Sequence, residues 1–126
     1  MENKKAVLSR LAVGALTLLL SGCASTAREE SMMLRDKEPL LSEATERPAA
    51  DYIGCLNPKM VAIGLPVQLM QDGSSTVLRM SRFANPVLVV EVSPNSSTTG
   101  ANVQLRARFN GGWGVGATVE AAKACL

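Results

Sequence analysis

The chain of 126 residues has no histidine. A nucleophilic thiol is usually activated by a neighbouring imidazole, so its absence argues against a thiol-dependent enzyme. It also leaves paired carboxylates as the main metal-free hydrolytic option. The acidic residues of the C-terminal region, Asp51, Asp72, Glu91 and Glu120, lack the motif spacing that such a pair or a metal site would need. Aromatic side chains are 3% of the sequence, namely Tyr52, Phe83, Phe109 and Trp113. A core must therefore come from Val, Leu, Ile, Met and Ala. No apolar run approaches the roughly 20 residues that a membrane-spanning helix requires. Net charge is +2, and the N-terminal stretch with Glu2, Lys4, Lys5 and Arg10 carries all of it. The rest of the chain is close to neutral, without the basic excess expected of a nucleic-acid-binding domain.

What is present begins with a leader. Lys4, Lys5 and Arg10 precede an apolar stretch from Leu11 to Leu20, short enough for a signal-peptide core. It ends in Leu20-Ser21-Gly22-Cys23: an aliphatic residue, two small residues and a cysteine. This arrangement resembles the lipobox of bacterial lipoproteins. The resemblance implies cleavage after Gly22 and acylation of Cys23. Ala24 stands where Asp would imply retention in the inner membrane, so an outer-membrane destination on the periplasmic face is expected. The competing reading is ordinary cleavage that leaves a free thiol in a soluble periplasmic protein. Each buried methylene of an acyl chain contributes about 0.8 kcal/mol, so two or three chains hold a protein without a spanning helix.

The chain divides into three regions: a signal peptide over 1–22, a lipidated Cys23 with a flexible tether over 23–50, and a small β-rich domain over 51–126. The tether alternates charges from Arg28 to Arg47 and is interrupted by Pro39 and Pro48. Its apolar clusters, Met32-Met33-Leu34 and Leu40-Leu41, are too small to fold alone.

In the domain, Val61, Ile63, Leu65, Val67 and Leu69 recur at every second position after Asn57-Pro58, the pattern of a half-buried strand behind a turn. Pro66 puts that strand at an edge. Asp72-Gly73 marks a turn, and Thr76–Arg82 alternates again. Val87–Val92 is apolar on both faces, as a central strand is. Ser93–Asn102 reads as a loop. Val103, Leu105, Ala107 and Phe109 then alternate with Gln104, Arg106 and Arg108. After Asn110-Gly111, the spacing of Val115, Val119, Ala122 and Leu126 becomes helical. The expected fold is α+β and mostly β: a four- or five-stranded antiparallel sheet with a short C-terminal helix. A small β-sandwich is the alternative. Cys55 and Cys125, an even pair in an exported domain, are expected to form its disulfide.

Gly111-Gly112-Trp113-Gly114-Val115-Gly116 lacks the Gly-Lys-Ser/Thr ending of a phosphate loop. Trp113 within it is a candidate partner anchor. Arg79, Arg82, Arg106 and Arg108 are the other candidate contacts, a basic patch suited to anionic lipid heads, lipopolysaccharide or peptidoglycan carboxylates. No metal or cofactor is expected. The function expected is a non-enzymatic interaction or structural module of the envelope. Its alternatives are an accessory lipoprotein of a secretion or conjugation machine and a binder of a small apolar ligand.

Overall fold

The computed structural model describes residues 34–126. The signal peptide, Cys23 and the Met32-Met33 cluster lie outside the described residues. Five strands form one antiparallel sheet: β1 (Leu41–Thr45), β2 (Val67–Asp72), β3 (Ser75–Arg82), β4 (Asn85–Pro94) and β5 (Ala101–Ala107). Two helices accompany them, α1 (Ala49–Ile63) and α2 (Val115–Ala124). The strand order is β1-β5-β4-β3-β2. The apolar β4 thus takes the central position its composition calls for.

Alternation decides which residues meet. Val90 sits between Leu78 of β3 and Leu105 of β5, and Val92 between Thr76 and Val103. Leu78, Met80, Leu88, Val90, Val92, Val103 and Leu105 make a buried face. The helices cover it. Tyr52, Leu56 and Met60 recur every fourth residue of α1, and Val115, Thr118 and Ala122 form the buried stripe of α2. The Tyr52 hydroxyl donates to the Ala122 carbonyl at 2.8 Å. Burial raises its pKa from 10.0 to about 12. Cys55 and Cys125 are bonded, with their Cα atoms 5.8 Å apart, and so join α1 to the end of α2. Closing a loop of that separation, 70 residues, stabilises by about 4 kcal/mol through lost entropy of the unfolded chain.

Three sequence expectations change. First, the period-two run from Val61 to Leu69 is not one strand. α1 continues through Asn57-Pro58 to Ile63, Gly64 caps it in a left-handed conformation, and β2 starts only at Val67. An interior proline costs a helix about 3 kcal/mol. Here the buried Tyr52–Leu56–Met60 stripe outweighs that. Pro58 and Gly54, whose carbonyl it cannot bond, are both exposed, so the orphaned acceptor is not sealed in the core. Second, Leu41–Thr45, expected within the tether, is the edge strand β1 paired with β5. Only Leu41 and Thr45 of it are buried, so the long-range ladder rather than its own composition makes it a strand. Third, the polar loop before β5 is shorter than expected, since β4 runs to Pro94 and β5 begins at Ala101. There the chain passes so close to β1 that a Cβ on Gly100 would collide with the Thr45 carbonyl oxygen.

The folded part therefore reaches back to Leu34. Residues 34–40 cross the sheet face opposite the helices as a strap. Leu34 is buried there with Val77 and Val89, and Met70 packs against them. Arg35 bonds Asp72 and also donates to Glu91 at 3.0 Å. The hydrogen bond with Asp72, opposed by partial burial, holds the guanidinium further in its charged form. Lys37 donates to the Arg108 carbonyl at 2.6 Å, and the Leu40 amide to the Leu105 carbonyl at 2.8 Å.

Candidate functional site

The end of the molecule where β3 turns into β4 collects the candidate contact residues. Antiparallel pairing brings this about. The last residues of β5 lie beside the first residues of β4, so the β3–β4 turn and the β5–α2 loop share one end. The Arg108 amide donating to the Val87 carbonyl at 2.9 Å fixes this adjacency. Leu65, between α1 and β2, joins the same place.

Arg82, Arg108, Phe109 and Trp113 line a cleft of about 270 Å³ whose inner wall is Leu65, Val87 and Val115. A broader hollow next to it shares Leu65 and Arg82 and is bordered by Arg79 and Phe83. None of the residues lining either depression is acidic. The aromatic rings around them are open to solvent, with Phe83 85%, Phe109 70% and Trp113 55% exposed. Cations accompany the phenyl rings. The Arg82 guanidinium carbon stands 5.3 Å from the Phe83 ring centre and the Lys37 ammonium 5.8 Å from that of Phe109. Phe83 and Ala84, the two residues between β3 and β4, both have positive φ, 51° and 63°.

The sequence candidates divide into two groups. Trp113, Arg82 and Arg108 come together at this end. Arg79 and Arg106 lie on the sheet face opposite the helices, each opposite Val89 of β4 from its own side, and Arg79 also borders the broader hollow. They are spent differently. Arg106 donates to the Lys37 carbonyl at 2.7 Å and to Gln104 at 2.9 Å, and so holds the strap down. Arg79 bonds Gln68 on the neighbouring strand. The expected single patch of arginines is thus partly internal. Among the described residues, the ion pairs involve Arg35 and Lys123 and leave Arg82 and Arg108 to the cleft.

Phe83, Phe109 and Lys37 were not singled out by sequence. The signal was there in Arg82-Phe83 and Arg108-Phe109, two cation–aromatic pairs, the second beside the turn marked by Asn110-Gly111. No helix among the described residues is long and apolar enough to cross a membrane. Among the same residues, no three His, Cys, Asp or Glu side chains converge as a metal site would need.

The fold and this end define a five-stranded antiparallel sheet, backed on one face by two disulfide-linked helices, with an aromatic and cationic tip. No family model, curated protein or solved structure matches the chain.

Proposed function

We propose that the protein is a non-enzymatic lipoprotein of the bacterial outer membrane, facing the periplasm, whose domain makes an envelope contact through its aromatic and cationic end. The observation that carries the reading is the Leu20-Ser21-Gly22-Cys23 sequence behind a basic, short apolar leader. The disulfide supports it, since such bonds persist in oxidising compartments outside the cytosol. The exposure of Phe83, Phe109 and Trp113 at one end supports a contact role, because large apolar side chains clustered at a surface mark interaction sites. A small-ligand role fits less well. The cleft beside Trp113, about 270 Å³, lies just under the roughly 300–1,000 Å³ usual for ligand pockets, and the adjoining hollow of about 620 Å³ lies wide open to solvent rather than enclosing a ligand.

Acyl labelling tests the anchor. Cys23→Ser is expected to abolish the label and leave unprocessed precursor, and normal labelling and membrane retention of that variant would reject it. Photo-crosslinking in intact cells from probes at Trp113 and Arg108 tests the contact. Adducts from these positions, with an envelope protein, lipopolysaccharide or peptidoglycan, would name the partner. Adducts no stronger than from a probe at Glu120, exposed on α2, would reject this end as the contact surface.

A further inference from the structure

Resting on the lipid-anchored reading above, we infer that the Phe83–Phe109–Trp113 end docks on the anionic phospholipid surface of the membrane that holds the anchor. Three features of this end select a lipid surface as the occupant. The first is the pairing of rings with cations. Phe83 and Phe109 each follow an arginine in sequence, and Arg82 and Lys37 lie near their faces. A ring that enters the acyl boundary beside a cation at phosphate depth is how interfacial segments bind anionic membranes. Half-exposed Trp113 suits the headgroup level, where indole partitions.

The second is shape and charge. The rings stand on two loops, Phe83 on the β3–β4 turn and Phe109 and Trp113 on the β5–α2 loop, and no acidic side chain lines either depression between them. A bilayer surface receives several protruding tips at once and supplies the opposite charge. The third is the turn. Phe83 is held in the left-handed region, where side chains are strained, yet it is almost fully exposed, so burial does not offset that strain.

Covalent reach permits the docking. The stretch from Cys23 to Leu34 spans at most about 40 Å when extended. A domain of this size has a radius of gyration of only about 13 Å.

Trp113 is the only tryptophan in the chain, so its fluorescence reports this end alone. The test uses the full protein purified with its acyl chains and reconstituted into vesicles whose lipids carry brominated acyl chains, which quench indole on contact. Flotation of the protein with the vesicles reads the anchor, and quenching of Trp113 reads the docked end. In phosphatidylethanolamine–phosphatidylglycerol vesicles, flotation with quenching is expected. In phosphatidylcholine vesicles, flotation with little quenching is expected. Each basic side chain at an anionic surface contributes about fivefold. Arg82→Gln with Arg108→Gln should therefore lower the docked-to-undocked ratio by about twenty-fivefold while flotation stays unchanged. Phe83→Ser, at an exposed turn outside the core, should also weaken quenching and serves if the double variant folds poorly.

Flotation without quenching would overturn the docking and leave the anchor standing. Equal quenching in both lipids, insensitive to the arginine substitutions, would overturn the anionic assignment. Quenching without flotation would uphold the docking and remove the acyl anchor. A photo-crosslinker at Phe83 that captures a protein in cells, with Trp113 unquenched in vesicles, would replace the membrane with a protein partner and overturn the inference.

Discussion

β3 is closed at its two ends by two-residue turns of opposite character. At one end Gly73 and Ser74 connect β2 to β3, and Gly73 takes the positive φ, 61°, at the first central position. This is the residue that turn geometry favours there. Its flank is also secured, because Asp72 is bonded by Arg35 of the strap. At the other end Phe83 and Ala84 connect β3 to β4, and both carry positive φ. That geometry favours Asn-Gly or Gly-Gly, and a side chain in the left-handed region costs about 1–2 kcal/mol per residue. The Phe83 ring is left in solvent, so burial returns nothing. One turn is explained by folding requirements alone. The other spends stability on displaying a ring, which the proposed membrane contact would account for.

A strained turn is tolerable only where the rest of the fold supplies stability, so the first way to break the comparison is to remove that supply. Cys55→Ala with Cys125→Ala should lower unfolding free energy by about 4 kcal/mol, read from denaturant midpoints. If the loss is near zero, the disulfide is not what lets the Phe83 turn persist. The buried Tyr52 offers a reversible version. Its hydroxyl ionises near 10 in the unfolded chain and near 12 when folded. The stability it protects is thus present below pH 10 and is lost as pH rises through 10 towards 12. The expected slope is about 1.4 kcal/mol per pH unit across that window. Tyr52→Phe should remove this slope, and an unchanged alkaline profile in that variant would assign the loss elsewhere.

The turns can then be exchanged. Gly73→Phe should make the sound turn resemble the strained one, at a cost of about 1–2 kcal/mol. Phe83→Asn with Ala84→Gly should do the reverse and gain about 1 kcal/mol, less than the full strain because glycine also frees the unfolded chain. The same double substitution should weaken Trp113 quenching on anionic vesicles. A protein made more stable yet less able to dock would separate what the turn does for the fold from what it does outside it. A destabilised double variant would instead show that the Phe83 ring supports the sheet.

The parts of this molecule that were legible in sequence are those whose pattern is local. β3, β4, β5 and α2 declare themselves by alternation or helical spacing within their own residues, and Asp72-Gly73 declares its turn. α1 was hidden because Asn57-Pro58 signals a turn, while the Tyr52–Leu56–Met60 stripe that overrides it becomes decisive only under the sheet. β1 was hidden because Ser42, Glu43 and Ala44 between its buried ends are exposed, so its strand state comes from β5, remote in sequence. The site shows the same division. Trp113, Arg82 and Arg108 stand out by residue type, but their convergence depends on β4 and β5 running antiparallel. The Phe83 turn was invisible because no turn residue marks it; its strain exists only in the backbone angles.

The smallest effect tests whether the two turns are independent. Arg35 joins the strap to Asp72 beside the sound turn and to Glu91 on the central strand. Its side chain is about a third exposed, so solvent screens the pairs, and Arg35→Gln should cost no more than about 1 kcal/mol. The cost should shrink in high salt. Hydrogen exchange gives the sharper readout. The amides of Lys37 and Leu40, bonded to the Leu34 and Leu105 carbonyls, should exchange faster as the strap loosens. Amides at Arg82–Asn85 should not change, because the described contacts of the strap with β3 fall on Val77, well short of that turn. Faster exchange at the Phe83 turn would mean that the strap steadies the whole sheet. The strain displayed at one end would then be supported by the ion pairs at the other, and the two turns would form a single mechanical unit.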